Sequence, residues 1–123
     1  MKYQFDRWVP ASALPLPVGY YGHLHNIYLQ YAAERGLPTL AIFLWMIAKI
    51  LWDFAVALRR KLIAPEGRFV LHGAIAVILA ILAEGFAENN LGDSEVLTMF
   101  LAVVAFGYVA AEYKEYATIP RIP

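Results

Sequence analysis

The sequence predicts an all-α integral membrane protein, with three transmembrane helices preceded by an external loop that carries a short amphipathic interfacial helix. Three observations lead there. The 123 residues are 61% hydrophobic and only 16% charged, where a soluble domain runs about 45–50% and about 25%; mean hydropathy is +0.55. Three apolar runs are each long enough to cross a hydrocarbon core of ~30 Å. The two connections between those runs carry charge of opposite sign.

The elements follow in chain order. Residues 1–36 read as the external loop. Its first part holds Pro10, Pro15, Pro17, Gly19 and Gly22 and has neither a helical nor a strand period. It also lacks the apolar stretch of a signal peptide. Asn26 is a good N-cap, and Gly36 is a natural stop, so a helix is predicted over residues 26–35. Ile27, Tyr28, Tyr31 and Ala32 form its apolar face, with Gln30, Glu34 and Arg35 opposite. Such a helix lies in the interface with its tyrosines at headgroup depth.

Residues 37–113 read as the three-span region, with spans over 37–58, 69–87 and 94–113. The first span carries Lys49 and Asp53, four residues apart on one face. Each charge costs about 2.5–3.5 kcal/mol at the centre of a span, while a large apolar residue returns only about 0.3–0.6. Mutual pairing and a surrounding bundle are the remedies. The aromatic stripe of Phe43, Trp45, Trp52 and Phe54 reads as packing against lipid or neighbouring helices. Arg59, Arg60, Lys61 and Arg68 make a basic connection, whereas the next one holds Glu88, Asp93 and Glu95. The positive-inside rule then sets the basic loop and the tail 114–123 in the cytoplasm and the N-terminal loop outside.

Composition removes several functional classes. Lys and Arg balance Asp and Glu at ten each, so no basic field exists for a nucleic-acid partner. Cysteine is absent, which excludes thiol nucleophiles and zinc-thiolate sites. No phosphate-cradling glycine loop or nucleophile elbow occurs.

The informative segment is Gly22-His23-Leu24-His25-Asn26, followed by Tyr28-Leu29-Gln30 and by Ala33-Glu34-Arg35-Gly36-Leu37-Pro38. Further on lies Glu84-Gly85-Phe86-Ala87-Glu88-Asn89-Asn90-Leu91-Gly92-Asp93-Ser94-Glu95-Val96. Residues 22–112 resemble the late part of the O-antigen ligase and O-antigen polymerase superfamily of membrane glycosyltransferases. The second stretch is similar to the acidic turn between the last two spans of its ligase-like members. The resemblance implies transfer of a glycan from undecaprenyl pyrophosphate to a lipid A core or to another glycan, in the bacterial inner membrane with a periplasmic N-terminal loop. It also implies further transmembrane helices that this chain lacks, and a chain inactive without them.

Such a transfer needs a base for the acceptor hydroxyl and donors for the departing phosphates. The resemblance makes His25 the catalytic candidate; its structural alternative is an exposed loop histidine beside a capping asparagine. His23, Asn26, Arg35, Glu84, Glu88 and Asp93 are the candidate substrate-binding residues. Arg35 suits a phosphate, and equally suits the C-terminal end of its own helix. Glu84 and Glu88 are expected to share a helix face near the external mouth. Glu84, just inside the hydrocarbon, is costly without a partner, and Glu84 or Glu88 is expected to orient His25 or a basic residue, or to bind sugar hydroxyls. Asp93 or Ser94 would cap the last helix, an account that needs no catalysis. The acids are spread over a helix end and a loop without compact ligand spacing, and the resembled family is metal-independent; no metal and no cofactor are expected. The alternative function is a small non-enzymatic membrane protein that binds a partner helix bundle through the Lys49/Asp53 face. A third is a transporter-like helper with Glu84 in a proton or solute path.

Overall fold

The computed structural model describes residues 10–13, 24–60 and 63–112. Its α-helices are α1 (Ile27–Arg35), α2 (Leu37–Leu58), α3 (Pro65–Glu84) and α4 (Ser94–Glu112), with short 3-10 turns at Ala11–Ala13 and Asn90–Gly92. No β-strand occurs among the described residues. The long helices α2, α3 and α4 are each long and apolar enough to cross a membrane.

Gly36, at φ 84, is the joint between α1 and α2. In that left-handed region only glycine escapes the Cβ penalty. Its N–H still bonds the Ala32 carbonyl, and Pro38 enters the first turn of α2, where a missing N–H costs nothing. The chain therefore folds back sharply: Tyr31 of α1 stacks on Phe43 of α2 with ring centroids 4.9 Å apart.

The three long helices run up, down and up. Phe54 of α2 meets Tyr108 of α4 edge-on at 5.2 Å, while the first turns of α3 line a groove with the last turns of α4. The core between them is Phe43, Ile47, Ile50, Phe54, Leu71, Ala74, Ile78 and Phe100. Gly107 makes the closest approach possible, because a Cβ there would stand 2.6 Å from Phe54 Cε2. The outward surface is the reverse of a soluble protein's. Trp45, Trp52, Phe69, Met99, Phe106 and Val109 are each more than 60% exposed. An apolar surface on that scale marks contact with lipid or with other apolar chains. Phe43 and Phe54 of the aromatic stripe face the core, and Trp45 and Trp52 face out.

Several expectations need correcting. The second long helix starts at Pro65 rather than 69, since Pro at the first helical position is preorganised for a helix start. Arg68 consequently sits in its first turns and not in the basic loop. The same helix ends at Glu84 rather than 87, because residues 85–87 form a turn. Glu88 is thus beyond the helix and shares no helical face with Glu84, which is itself exposed at the helix end. Gln30, expected on the solvated face of α1, is buried: its side-chain oxygen accepts the Leu24 N–H at 2.8 Å. The last helix runs from Ser94 to Glu112, the last of the described residues. The first long helix matches its predicted bounds. His23 and the tail 114–123 lie outside the described residues.

Candidate functional site

The site is built where α1 docks on the C-terminal end of α3. A helix leaves its last four carbonyls without intrahelical partners, and here each one is satisfied. Ile81 O accepts from Gly85 N and Asn90 Nδ2, and Ala83 O accepts from Phe86 N. Glu84 O accepts from Ala87 N and Glu88 N. Leu82 O takes the Tyr28 hydroxyl of α1 at 2.6 Å.

Two further bonds fasten α1 to the turn. Ile27 N donates to Gly85 O at 2.9 Å, and Asn26 Nδ2 donates to Phe86 O at 3.0 Å. Ile27 is 1% exposed and packs on Gly85, whose absent Cβ would lie 2.6 Å from Ile27 Cγ2. Asn26 does two jobs, since its Oδ1 also caps α1 by accepting from Leu29 N at 2.9 Å. An N-cap lost to alanine costs typically ~1 kcal/mol, and a neutral hydrogen bond another ~1 kcal/mol. Asn26→Ala is therefore expected to lower stability by about 2 kcal/mol, and Asn26→Asp, which keeps the cap and loses the Phe86 bond, by about half as much. Denaturant midpoints in detergent check this, and equal losses in the two variants would remove the second bond from the account.

Tyr28 also packs its ring 4.7 Å from Phe86. Burial raises its phenol pKa above the usual value near 10. A group whose pKa is raised in the folded state gives its full stabilisation below the unfolded pKa, and that stabilisation is lost as pH rises through the folded pKa. Stability should accordingly fall above about pH 10, and Tyr28→Phe should flatten that fall. An unchanged alkaline limb in the variant would show that other groups set it.

This docking brings His25 to Glu88 across 63 residues of sequence. Nδ1 lies 2.9 Å from Oε2 and 3.2 Å from Oε1. Both side chains are about half exposed, at 55% and 47%. Glu88 is itself held, because its Oε1 accepts Asn89 N at 2.9 Å. With Nδ1–H donating to the carboxylate, Nε2 carries the lone pair of the ring. The carboxylate thus fixes the orientation of a half-exposed imidazole ring.

Asn26 is adjacent and structural. Glu84 turns to Asn90, with Oε2 3.4 Å from Asn90 Nδ2, so Glu88 rather than Glu84 meets the imidazole. Asp93 opens α4: its carbonyl accepts Leu97 N at 2.9 Å, and its side chain is exposed. Arg35 is exposed at the C-terminal end of α1, a nine-residue helix that rises about 13 Å, whereas His25 precedes its N-cap. Its carbonyl accepts the Thr39 hydroxyl. No three His, Asp or Glu side chains converge as a metal-binding group among the described residues.

Asn90 was missed from sequence. It is 6% exposed, and its two side-chain atoms bond Ile81 O and Leu91 N, locking the turn that presents Glu88. The signal was present in Asn89-Asn90-Leu91-Gly92, a run of turn-forming residues whose side chains bond their own backbone. Asp53 also has an unforeseen partner besides Lys49: the Tyr108 hydroxyl of α4 donates to it at 3.1 Å. No family model matches the chain, and searches of curated proteins and of solved structures find no match either.

Proposed function

We propose that the chain is a multi-pass protein of the bacterial inner membrane and the late part of a ligase- or polymerase-type glycosyltransferase, acting with further transmembrane helices. The His25–Glu88 contact carries this reading. It sets an oriented base at one end of three apolar helices, the end away from Arg59, Arg60 and Arg68. By the positive-inside rule the arginine end is cytoplasmic, so His25 and Glu88 face the periplasm, where lipid-linked glycans are used.

In the proposed step the acceptor hydroxyl oxygen attacks the anomeric carbon of the donor sugar. A new C–O glycosidic bond forms as the bond from that carbon to the pyrophosphate oxygen breaks. The leaving pyrophosphate keeps the electron pair, and the hydroxyl proton passes to His25 Nε2 while Glu88 steadies the imidazolium through Nδ1–H. The phosphate-binding cations are assigned to the additional helices, because Arg35 stands at the opposite end of α1 from His25.

Deleting the gene in its own host and reading the surface glycan by gel tests this. Loss of the glycan ladder, restored by the wild-type gene and not by a His25→Ala copy, is the expected result. An intact ladder in the deletion strain would end the transferase reading.

A further inference from the structure

We propose that the outward stripe of α2 is the contact face of a homodimer, in which Lys49 of each copy pairs with Asp53 of the other. The inference rests on the membrane placement of α2 and not on the transferase chemistry.

Ile42, Trp45, Lys49 and Trp52 recur at intervals of three, four and three residues along one side of α2. That is the spacing of a helix–helix seam with a crossing angle of about 20°. Yet the seam faces away from α3 and α4. Ile42, Trp45 and Trp52 are 65–68% exposed, and the Lys49 side chain is 54% exposed. Lys49 and Asp53 lie well inside the 22-residue helix, so the pair sits at hydrocarbon depth with its cation facing lipid. Within one copy Lys49 Nζ contacts the carboxylate at 2.5 and 2.6 Å, and Tyr108 supports Asp53 from α4. The carboxylate is thereby anchored while the ammonium is left on the outer surface.

A second copy of this chain fits the face because the face carries both signs. Copies inserted in the same direction meet about a twofold axis normal to the membrane, with equivalent residues at equal depth. Lys49 of one copy and Asp53 of the other are then offset by four residues, about 6 Å along the helix. The flexible four-carbon stem of lysine spans that offset. Two exchanged ion pairs are removed from lipid in one step, and four exposed tryptophans, two from each copy, are covered with them.

The chain has no cysteine, so single cysteines report on this face directly. In native membranes, Trp45→Cys and Trp52→Cys are expected to give disulfide-linked dimers, whereas Phe69→Cys and Val109→Cys, at least as exposed as Trp52 on α3 and α4, should not. In the Trp45→Cys background, K49D or D53K alone should cut the dimer roughly tenfold by setting like charges opposite each other. Coexpressing the two variants with different tags should restore a mixed dimer, which a partner of another kind would not do. Equal yields at all four positions, or no mixed dimer, would overturn the proposal. A chain stripped from membranes by alkaline carbonate would overturn the membrane reading and the dimer together, while a membrane-held chain with no bond at 45 or 52 would overturn the dimer alone.

Discussion

Replacing His25 with alanine is expected to lower glycan transfer by about 100- to 10,000-fold, the range for loss of a positioned general base, with membrane abundance unchanged. Abundance should hold because the His25–Glu88 pair is half exposed, and ion pairs of that kind contribute only about 0–1 kcal/mol to stability. The anchors of α1 are other residues: Ile27 and Tyr28, with Asn26 at the cap. Glu88→Gln is the sharper companion. Its amide can turn its NH₂ towards Nδ1, selecting the tautomer with the proton on Nε2, which is no longer a base. A loss of roughly 100-fold is expected, steeper than the removal of a weak surface ion pair accounts for. Wild-type transfer in Glu88→Gln would reduce Glu88 to a turn residue. Wild-type transfer in His25→Ala would take the imidazole out of the mechanism.

The parts of the fold that depend on local chemistry were legible in the sequence. Asn26 as a cap, Gly36 as a stop and residues 37–58 as one helix follow from side-chain preferences and apolar length, and the structure places them there. The parts that depend on partners were not. Periodicity put Gln30 on the solvated face of α1, but Leu24 N–H draws its oxygen inward and tertiary contact overrides the pattern. The end of α3 was read too late because Ala87 and Phe86 are apolar and continue the run. What stops the helix is a set of capping bonds from Tyr28, Asn90 and the turn itself, donors scattered over more than 60 residues. The choice between Glu84 and Glu88 as partner of His25 was open for the same reason. Those residues differ by four positions in sequence, one at the close of the helix and one past the turn, and only the place where the helix ends decides which reaches the imidazole.

That dependence makes Gly85 the residue on which the site's geometry turns, although glycine has no side chain to act with. Gly85 has an ordinary φ of −58, so backbone strain is not what requires glycine. Space does. An alanine methyl would stand 2.6 Å from Ile27 Cγ2 and 3.2 Å from Ile81 O, the first well inside van der Waals contact. Ile27 is 1% exposed and cannot swing out, so α1 must move away from the end of α3. Overpacking of this kind costs about 1–3 kcal/mol, and the displaced helix carries His25 away from Glu88. Gly85→Ala is therefore expected to cost transfer activity on the order of 100-fold, as a misplacement of about 1 Å does. Amide exchange at Ile27, whose N–H bonds Gly85 O, should accelerate in step. The control is steric. Ile27→Ala alone opens a cavity costing about 2–5 kcal/mol, but in the double variant the new methyl occupies part of that space. The two costs should fall short of their sum by about 1 kcal/mol or more, and activity should partly return. Strict additivity would mean that the Gly85–Ile27 contact does not hold α1 in place, and that the imidazole is positioned by Asn26 and Tyr28 alone.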